Sequence, residues 1–126
     1  MNTKLGGSST ENLGSLSPKI WGNSGWVFLF SIASIYPRDK VRFQTKRKYY
    51  NYFVSLGEVL PCENCRHHYQ QYLNSKPVGF YLENRNSLFN WLIGLHNKSN
   101  PKNQISNSEE AIDYYLNNLL NLFYIM

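Results

Sequence analysis

The sequence predicts an all-α fold, a four-helix bundle with an additional short fifth helix. Three observations carry this expectation. Apolar residues recur at helical spacing through most of the chain, no segment alternates polar and apolar residues as a strand does, and Pro37, Pro61 and Pro101 cut the periodic stretches into helix-sized pieces.

The first helix is announced by Ser17-Pro18, an N-cap followed by proline at the first helical position, and is closed by Tyr36-Pro37. Its residues are apolar on more than one face, as those of a central helix would be, and Gly22, Trp26 and Phe30 share one side at i, i+4 and i+8. A second helix is expected from about Asp39 to Leu60, with Tyr49, Phe53, Leu56 and Leu60 opposite a Lys/Arg-rich face, and Pro61 breaks it. The third runs from Cys62, or just before it, to Ser75. The loop "KPVGFYLENRN" follows, and a fourth helix over Ser87 to Ser99 turns Leu88, Leu92 and Leu95 to the core. After "NPKNQISNS", Ser108 caps a last amphipathic helix that carries Ile112, Tyr115, Leu116, Leu119 and Phe123, with Glu109 and Glu110 in its first turn.

With 126 residues the chain has room for one core. The opening "MNTKLGGSSTENLGS" is rich in Gly, Ser, Asn and Thr, so residues 1–16 read as a flexible tail and 17–126 as a single helical domain. Neither a secretory nor a mitochondrial leader is visible in that opening. The longest apolar run, Trp26 to Tyr36, is interrupted by two serines and falls well short of the roughly 20 residues a membrane helix needs. No membrane span is therefore expected. The net charge of +5 is dispersed over "PRDKVRFQTKRKYY", "CRHH" and "NKSNPK", which suits either a solvated basic face or an anionic partner.

Both cysteines, Cys62 and Cys65, stand in "LPCENCRHHYQQYL". A purely structural disulfide over three residues closes a tiny loop and constrains the unfolded chain little. Zinc would take Cys62, Cys65, one of His67 or His68, and His96, but the second pair lacks the usual His-His or Cys-Cys spacing. A redox couple needs two cysteines at i, i+3 in a first helical turn, where free N–H groups and nearby cations favour thiolate, and Pro61, Arg66, His67 and His68 supply that setting. A couple in a helical bundle needs an electron acceptor. Two other stretches offer a place for one: "WGNSGWVFLF", with Gly22 leaving a gap beside Trp26 and Phe30, and "WLIGLHNKSN", with His96, Asn97 and Asn100 at a helix end. Each also has a plain structural reading, as core aromatics and as helix capping.

Taken in order, the three stretches resemble the Erv/ALR family of FAD-dependent sulfhydryl oxidases, whose pattern runs W-G-x(3)-W-x-x-L-H, P-C-x-x-C and H-N-x-V-N-x-K. Trp21, Gly22, Trp26 and Leu29 match the first block, Pro61, Cys62 and Cys65 the second, and His96, Asn97, Asn100 and Lys102 the third. The resemblance spans about Ser17 to Lys102. It implies a helical bundle with FAD at its mouth, commonly a homodimer, that oxidises protein dithiols to disulfides with O2 as acceptor and releases H2O2. It further implies that Cys65 lies against the flavin ring while Cys62 exchanges with substrate. Gly22, Trp26, Phe30 and His68 would border the flavin, and His96, Asn97, Asn100 and Lys102 would hold the adenine and phosphate end.

Phe30 stands where most cellular members have His, Ser99 replaces Val, and Pro101 interrupts the fourth helix. A minimal form with Phe there is similar to the oxidases of large cytoplasmic DNA viruses. The implied setting is the host cytoplasm or the virion, with the mitochondrial intermembrane space as the cellular alternative. With no further cysteine to act as a shuttle, the expected partner is a thiol-bearing protein substrate or a separate disulfide shuttle protein. No metal and no nucleic acid enter this reading. The alternative from another class is a zinc-stabilised helical module that binds nucleic acid or protein without catalysis.

Overall fold

A computed structural model describes residues 13–117. Every regular element among them is helical: α1 (Pro18–Ser34), α2 (Phe43–Val59), α3 (Glu63–Ser75), a 3-10 turn (Val78–Tyr81), α4 (Arg85–Ser99) and α5 (Ser108–Ala111), which passes into a π turn over Ile112–Asn117.

Local chemistry sets most of the helix starts. The Ser17 hydroxyl accepts the Lys19 N–H, and Pro18 takes the position where its missing N–H is not needed. Asn84 Oδ1 accepts the Ser87 N–H at 2.8 Å and Asn107 Oδ1 accepts the Glu110 N–H at 2.9 Å, so asparagines open both α4 and α5. The helix expected to begin at Ser87 therefore starts two residues earlier, at Arg85. The second helix begins at Phe43 rather than near Asp39, because Lys40 takes a left-handed φ of 51° and Arg42 is extended. Extended backbone at Leu60 and at Cys62 separates α2 from α3.

The helices pair in two sets. α1 and α4 run antiparallel: Trp26 meets His96 and Phe30 stacks on Phe89 at 5.3 Å. α2 and α3 form a second antiparallel pair, in which Gln70 Nε2 donates to the Gly57 carbonyl and the Tyr69 hydroxyl donates to that of Phe53. The two sets meet at Trp91, whose ring packs on Phe53, Tyr69 and Tyr72 and whose indole N–H donates to the Lys76 carbonyl at 2.8 Å. Buried tyrosines tie loop to loop and helix to helix: Tyr36 donates to Leu82 O at 2.6 Å and Tyr72, on α3, to Trp91 O on α4 at 2.8 Å. The first of these bonds satisfies a loop carbonyl that burial would otherwise leave costly.

The central helix is α4, not α1. Seven of its residues are buried, Leu88, Phe89, Trp91, Leu92, Ile93, Leu95 and His96, on nearly every side of the cylinder. In α1 only Leu29, Phe30 and Ala33 are buried, while Ile20, Phe28 and Ile35 face outward. Of the second helix's expected core positions, Phe53 is fully buried, and Tyr49, Leu56 and Leu60 are partly so. In the last helix Tyr115 is buried and packs on Phe30, while Leu119 and Phe123 lie outside the described residues.

Candidate redox and cofactor site

Cys62 is the N-cap of α3, and its Sγ is bonded to that of Cys65 across a Cα–Cα separation of 5.0 Å. The Cys65 N–H points at Cys62 Sγ at 3.1 Å, and the Arg66 N–H donates to the Cys62 carbonyl at 2.9 Å. Both sulfurs therefore sit at the positive end of a 13-residue helix, beside backbone N–H groups that favour a negative sulfur. Cys62 is 8% exposed and Cys65 half-buried.

The approach to the pair is lined by residues ahead of α1. Ser15 Oγ accepts the Glu63 N–H at 3.0 Å, the Leu16 N–H donates to the Pro61 carbonyl, and Trp21 Nε1 donates to the Leu16 carbonyl at 3.0 Å. Arg66 Nη2 donates to Gly14 O at 3.2 Å and Nη1 to Leu60 O. Residues 14–16, expected to belong to a flexible tail, are thus fastened across the start of α3. The reason is that α3 begins with N–H groups lacking helical partners, and its entry carbonyls are open to donors.

The second group of expected residues meets where α1 crosses α4. The Trp26 ring stands edge-on to His96 at 4.9 Å, and Phe30 lies among Trp26, Phe89, His96 and Tyr115. Phe30 is wholly enclosed, since an apolar ring at the seam of two helices gains most by full burial, so it is a core residue in this arrangement. His96 is 1% exposed. Asn97 Oδ1 has only lone pairs to offer, so His96 Nδ1 donates to it (3.1 Å), and Nε2 accepts from the Tyr115 hydroxyl (2.8 Å). Burial pushes the imidazole pKa down, against the opposing Asn97 bond, and burial with the nearby Tyr114 pushes the Tyr115 phenol up to about 12.

Asn97 also closes the loop after α4, accepting the Ile105 N–H and donating to the Ile105 carbonyl, both at 2.8 Å. Asn100 Nδ2 donates to His96 O at 3.0 Å and caps the helix. Lys102 is exposed one turn away, past Pro101. Gly22 is half-buried with open space beside it, the nearest atom to an added Cβ being Pro18 Cβ at 3.8 Å. His68 is exposed on α3 beside His67. Among the described residues, no three of His, Cys, Asp and Glu gather to hold a metal ion.

Two contributors escaped the sequence reading. Tyr115 was visible there only as a core position of the last helix, with nothing to link it to His96. Arg66 was pooled with His67 and His68 as local positive charge, yet it is 2% exposed while both histidines are exposed. A separate cleft of about 460 Å³ opens at the far end of α1, lined by residues that include Ser34, Arg38, Arg85 and Ser108, and it contains none of the expected cofactor residues.

The Erv1/Alr family model matches residues 23–116. The chain belongs to the Erv1/Alr family. A protein of Acanthamoeba polyphaga mimivirus named as a probable FAD-linked sulfhydryl oxidase is 38% identical over 86 residues, 68% of this chain and 59% of that protein. The chain thus spans a little under three fifths of this relative's length. An FAD-linked sulfhydryl oxidase of African swine fever virus is 29% identical over 103 residues, 80% of this chain and 84% of that protein. The crystal structure of the yeast Erv1 core has a TM-score of 0.69 at 20% identity, covering 91% of this chain and 97% of that one, so this Erv1/Alr chain shares its fold.

The side chains of this family member suit a flavin nucleotide. Trp26 and the Gly22 gap give a flat wall with room beside it, and Asn100 and Lys102 add amide and cationic groups at the end of α4. His96, 1% exposed and with both ring nitrogens engaged, offers neither a donor nor open ring surface in this arrangement.

Proposed function

We propose that the chain is an FAD-linked sulfhydryl oxidase that converts protein dithiols to disulfides. The observation that carries this is the Cys62–Cys65 disulfide at the start of α3 in an Erv1/Alr chain. A substrate thiolate attacks Cys62 Sγ and Cys65 leaves as thiolate. A second substrate thiolate then attacks the mixed disulfide at the substrate's own sulfur, releasing Cys62 as thiolate. The substrate has lost two electrons, the pair has gained them, and the substrate's two thiol protons pass to solvent. FAD, when bound, supplies a two-electron acceptor for the pair and passes the electrons to O2, giving H2O2. By the order of the motif Cys65, one turn inside α3, is the partner nearer the cofactor, and Cys62, at the helix cap, meets the substrate once the residues that cover it move aside. Gly22, Trp26, Phe30, His68, His96, Asn97, Asn100 and Lys102 are the proposed FAD contacts, with Phe30 and His96 reached once the Tyr115 ring gives way.

Residues 17–126 form the catalytic domain in this reading. The partner is a thiol-bearing protein or a disulfide shuttle, and the mimivirus and African swine fever virus relatives favour a viral setting, in the host cytoplasm or the virion. No helix among the described residues is long and apolar enough to cross a membrane. A homodimer is supported by the outward stripe of α1 and its C-cap, where Ile20, Phe28 and Ile35 share one face at 61% to 74% exposure.

The test is the visible spectrum of the purified protein before and after dithiothreitol under air. Oxidised-flavin bands that bleach and return as oxygen is consumed are expected. A colourless protein after attempted FAD reconstitution would overturn the reading.

A further inference from the structure

Arg66 is one of two fully enclosed polar side chains among the described residues, and the only charged one. Its head donates to two neutral carbonyls, Leu60 O and Gly14 O, while Nε is buried without a partner. No carboxylate among the described residues lies within ion-pair distance of it. A guanidinium taken out of water and left unpaired is expensive, and such a group persists where something compensates it. In the oxidised protein the two carbonyls are the only compensation among the described residues, because the Cys62–Cys65 disulfide is neutral.

Arg66 follows Cys65 directly and its backbone N–H is bonded to the Cys62 carbonyl, so its backbone shares the helical turn of both sulfurs, while its guanidinium is held at the Leu60 carbonyl, two residues before Cys62. Reduction places up to two negative charges in that turn. We propose that Arg66 is a positioning residue whose buried charge is matched by the thiolates of the reduced pair, so that it raises the reduction potential of Cys62–Cys65 and makes the pair a better acceptor of substrate electrons. One arm of the same guanidinium holds Gly14, while Ser15 and Leu16 are bonded to Glu63 and Pro61 on either side of Cys62, and this cover limits the water that could screen the charge. His67 and His68, exposed on the next positions, have no such leverage. The inference rests on Cys62–Cys65 being a working couple.

The experiment is a redox titration of the full chain against reduced and oxidised glutathione at fixed pH, read by thiol alkylation and mass, for wild type, R66Q and R66K. R66Q keeps an N–H donor and loses the charge; R66K keeps the charge and loses the fork. R66Q is expected to shift the equilibrium constant about tenfold or more toward the disulfide, a potential about 30 mV more negative for a two-electron couple, with R66K within about threefold of wild type. An R66Q constant equal to wild type, or an R66K constant that falls as far as R66Q, overturns the proposal, the latter because it marks a structural role only. Should R66Q not fold, R66K decides alone: a wild-type constant supports the charge, and a tenfold fall overturns it. A wild-type pair that never equilibrates with glutathione would instead defeat the oxidase reading itself, a different outcome from any of these.

Discussion

The Tyr115 hydroxyl donates to His96 Nε2 at 2.8 Å, joining the π turn after α5 to the buried end of α4 and fixing which imidazole nitrogen carries the proton. Tyr115→Phe removes the donor and leaves a buried acceptor unmet. The expected cost is about 1–2 kcal/mol, read from the urea unfolding midpoint.

That same contact predicts a pH dependence. Burial lowers the His96 pKa below its unfolded value of 6.5, so the unfolded chain takes up a proton more readily than the folded one. The stability His96 contributes is full above that value and is lost as pH falls below it toward the folded pKa. Unfolding followed between about pH 7.5 and 5.5 should show stability falling on acidification, with a shallower fall in His96→Phe.

Gly94 is held by a close contact rather than by turn geometry. A Cβ on Gly94 would run into the Tyr72 hydroxyl, which is itself bonded to Trp91 O, whereas a Cβ on Gly79 would meet Tyr50 at an ordinary 3.6 Å. Gly94→Ala should therefore lose about 1–3 kcal/mol in a thermal or urea melt, and Gly79→Ala should lie within about 0.5 kcal/mol of wild type.

Gly22→Ala separates fold from cofactor. The position is helical and open, so alanine should keep or raise stability by up to about 1 kcal/mol. In the proposed site the added methyl enters the gap beside Trp26, so FAD affinity, measured by flavin fluorescence quenching, should fall.

Cys65→Ser should bind FAD yet fail to bleach with dithiothreitol, because the thiolate next to the cofactor is gone. Cys62→Ser should lose turnover with protein dithiols. Normal bleaching in the Cys65 variant would reverse the assigned roles.

The helix ends legible in the sequence are those set by local chemistry. Ser17-Pro18 and Pro61 act within a few residues, and the structure places breaks there. The starts at Phe43 and Arg85 were misjudged for a different reason. Lysine at position 40 gives no sign of a left-handed backbone, and Asn84, which caps α4, lies within the stretch read as a loop. The i, i+4, i+8 spacing did align Gly22, Trp26 and Phe30, but periodicity could not say that α4 is more enclosed than α1. That depends on where the Phe53–Trp91 and Phe30–Phe89 seams fall across the bundle. The cysteine motif told of chemistry and not of its cover: the bonds from Gly14, Ser15 and Leu16 span 45 or more residues and leave no local trace.

Those bonds bear on which reductants reach the protein. Pro61 and Glu63, on either side of Cys62, are each hydrogen-bonded to the segment ahead of α1, so a thiol approaching Cys62 must displace Ser15 and Leu16 or bring its own backbone to replace them. An extended peptide strand bearing a cysteine carries the donors and acceptors for that exchange, whereas a small-molecule thiol such as glutathione or dithiothreitol breaks those bonds without replacing them and so reacts more slowly, though to the same equilibrium. Trimming the chain to Ser17 would keep the cap of α1 and remove this filter, leaving the sulfurs open to faster, futile oxidation of the cell's soluble thiol pool.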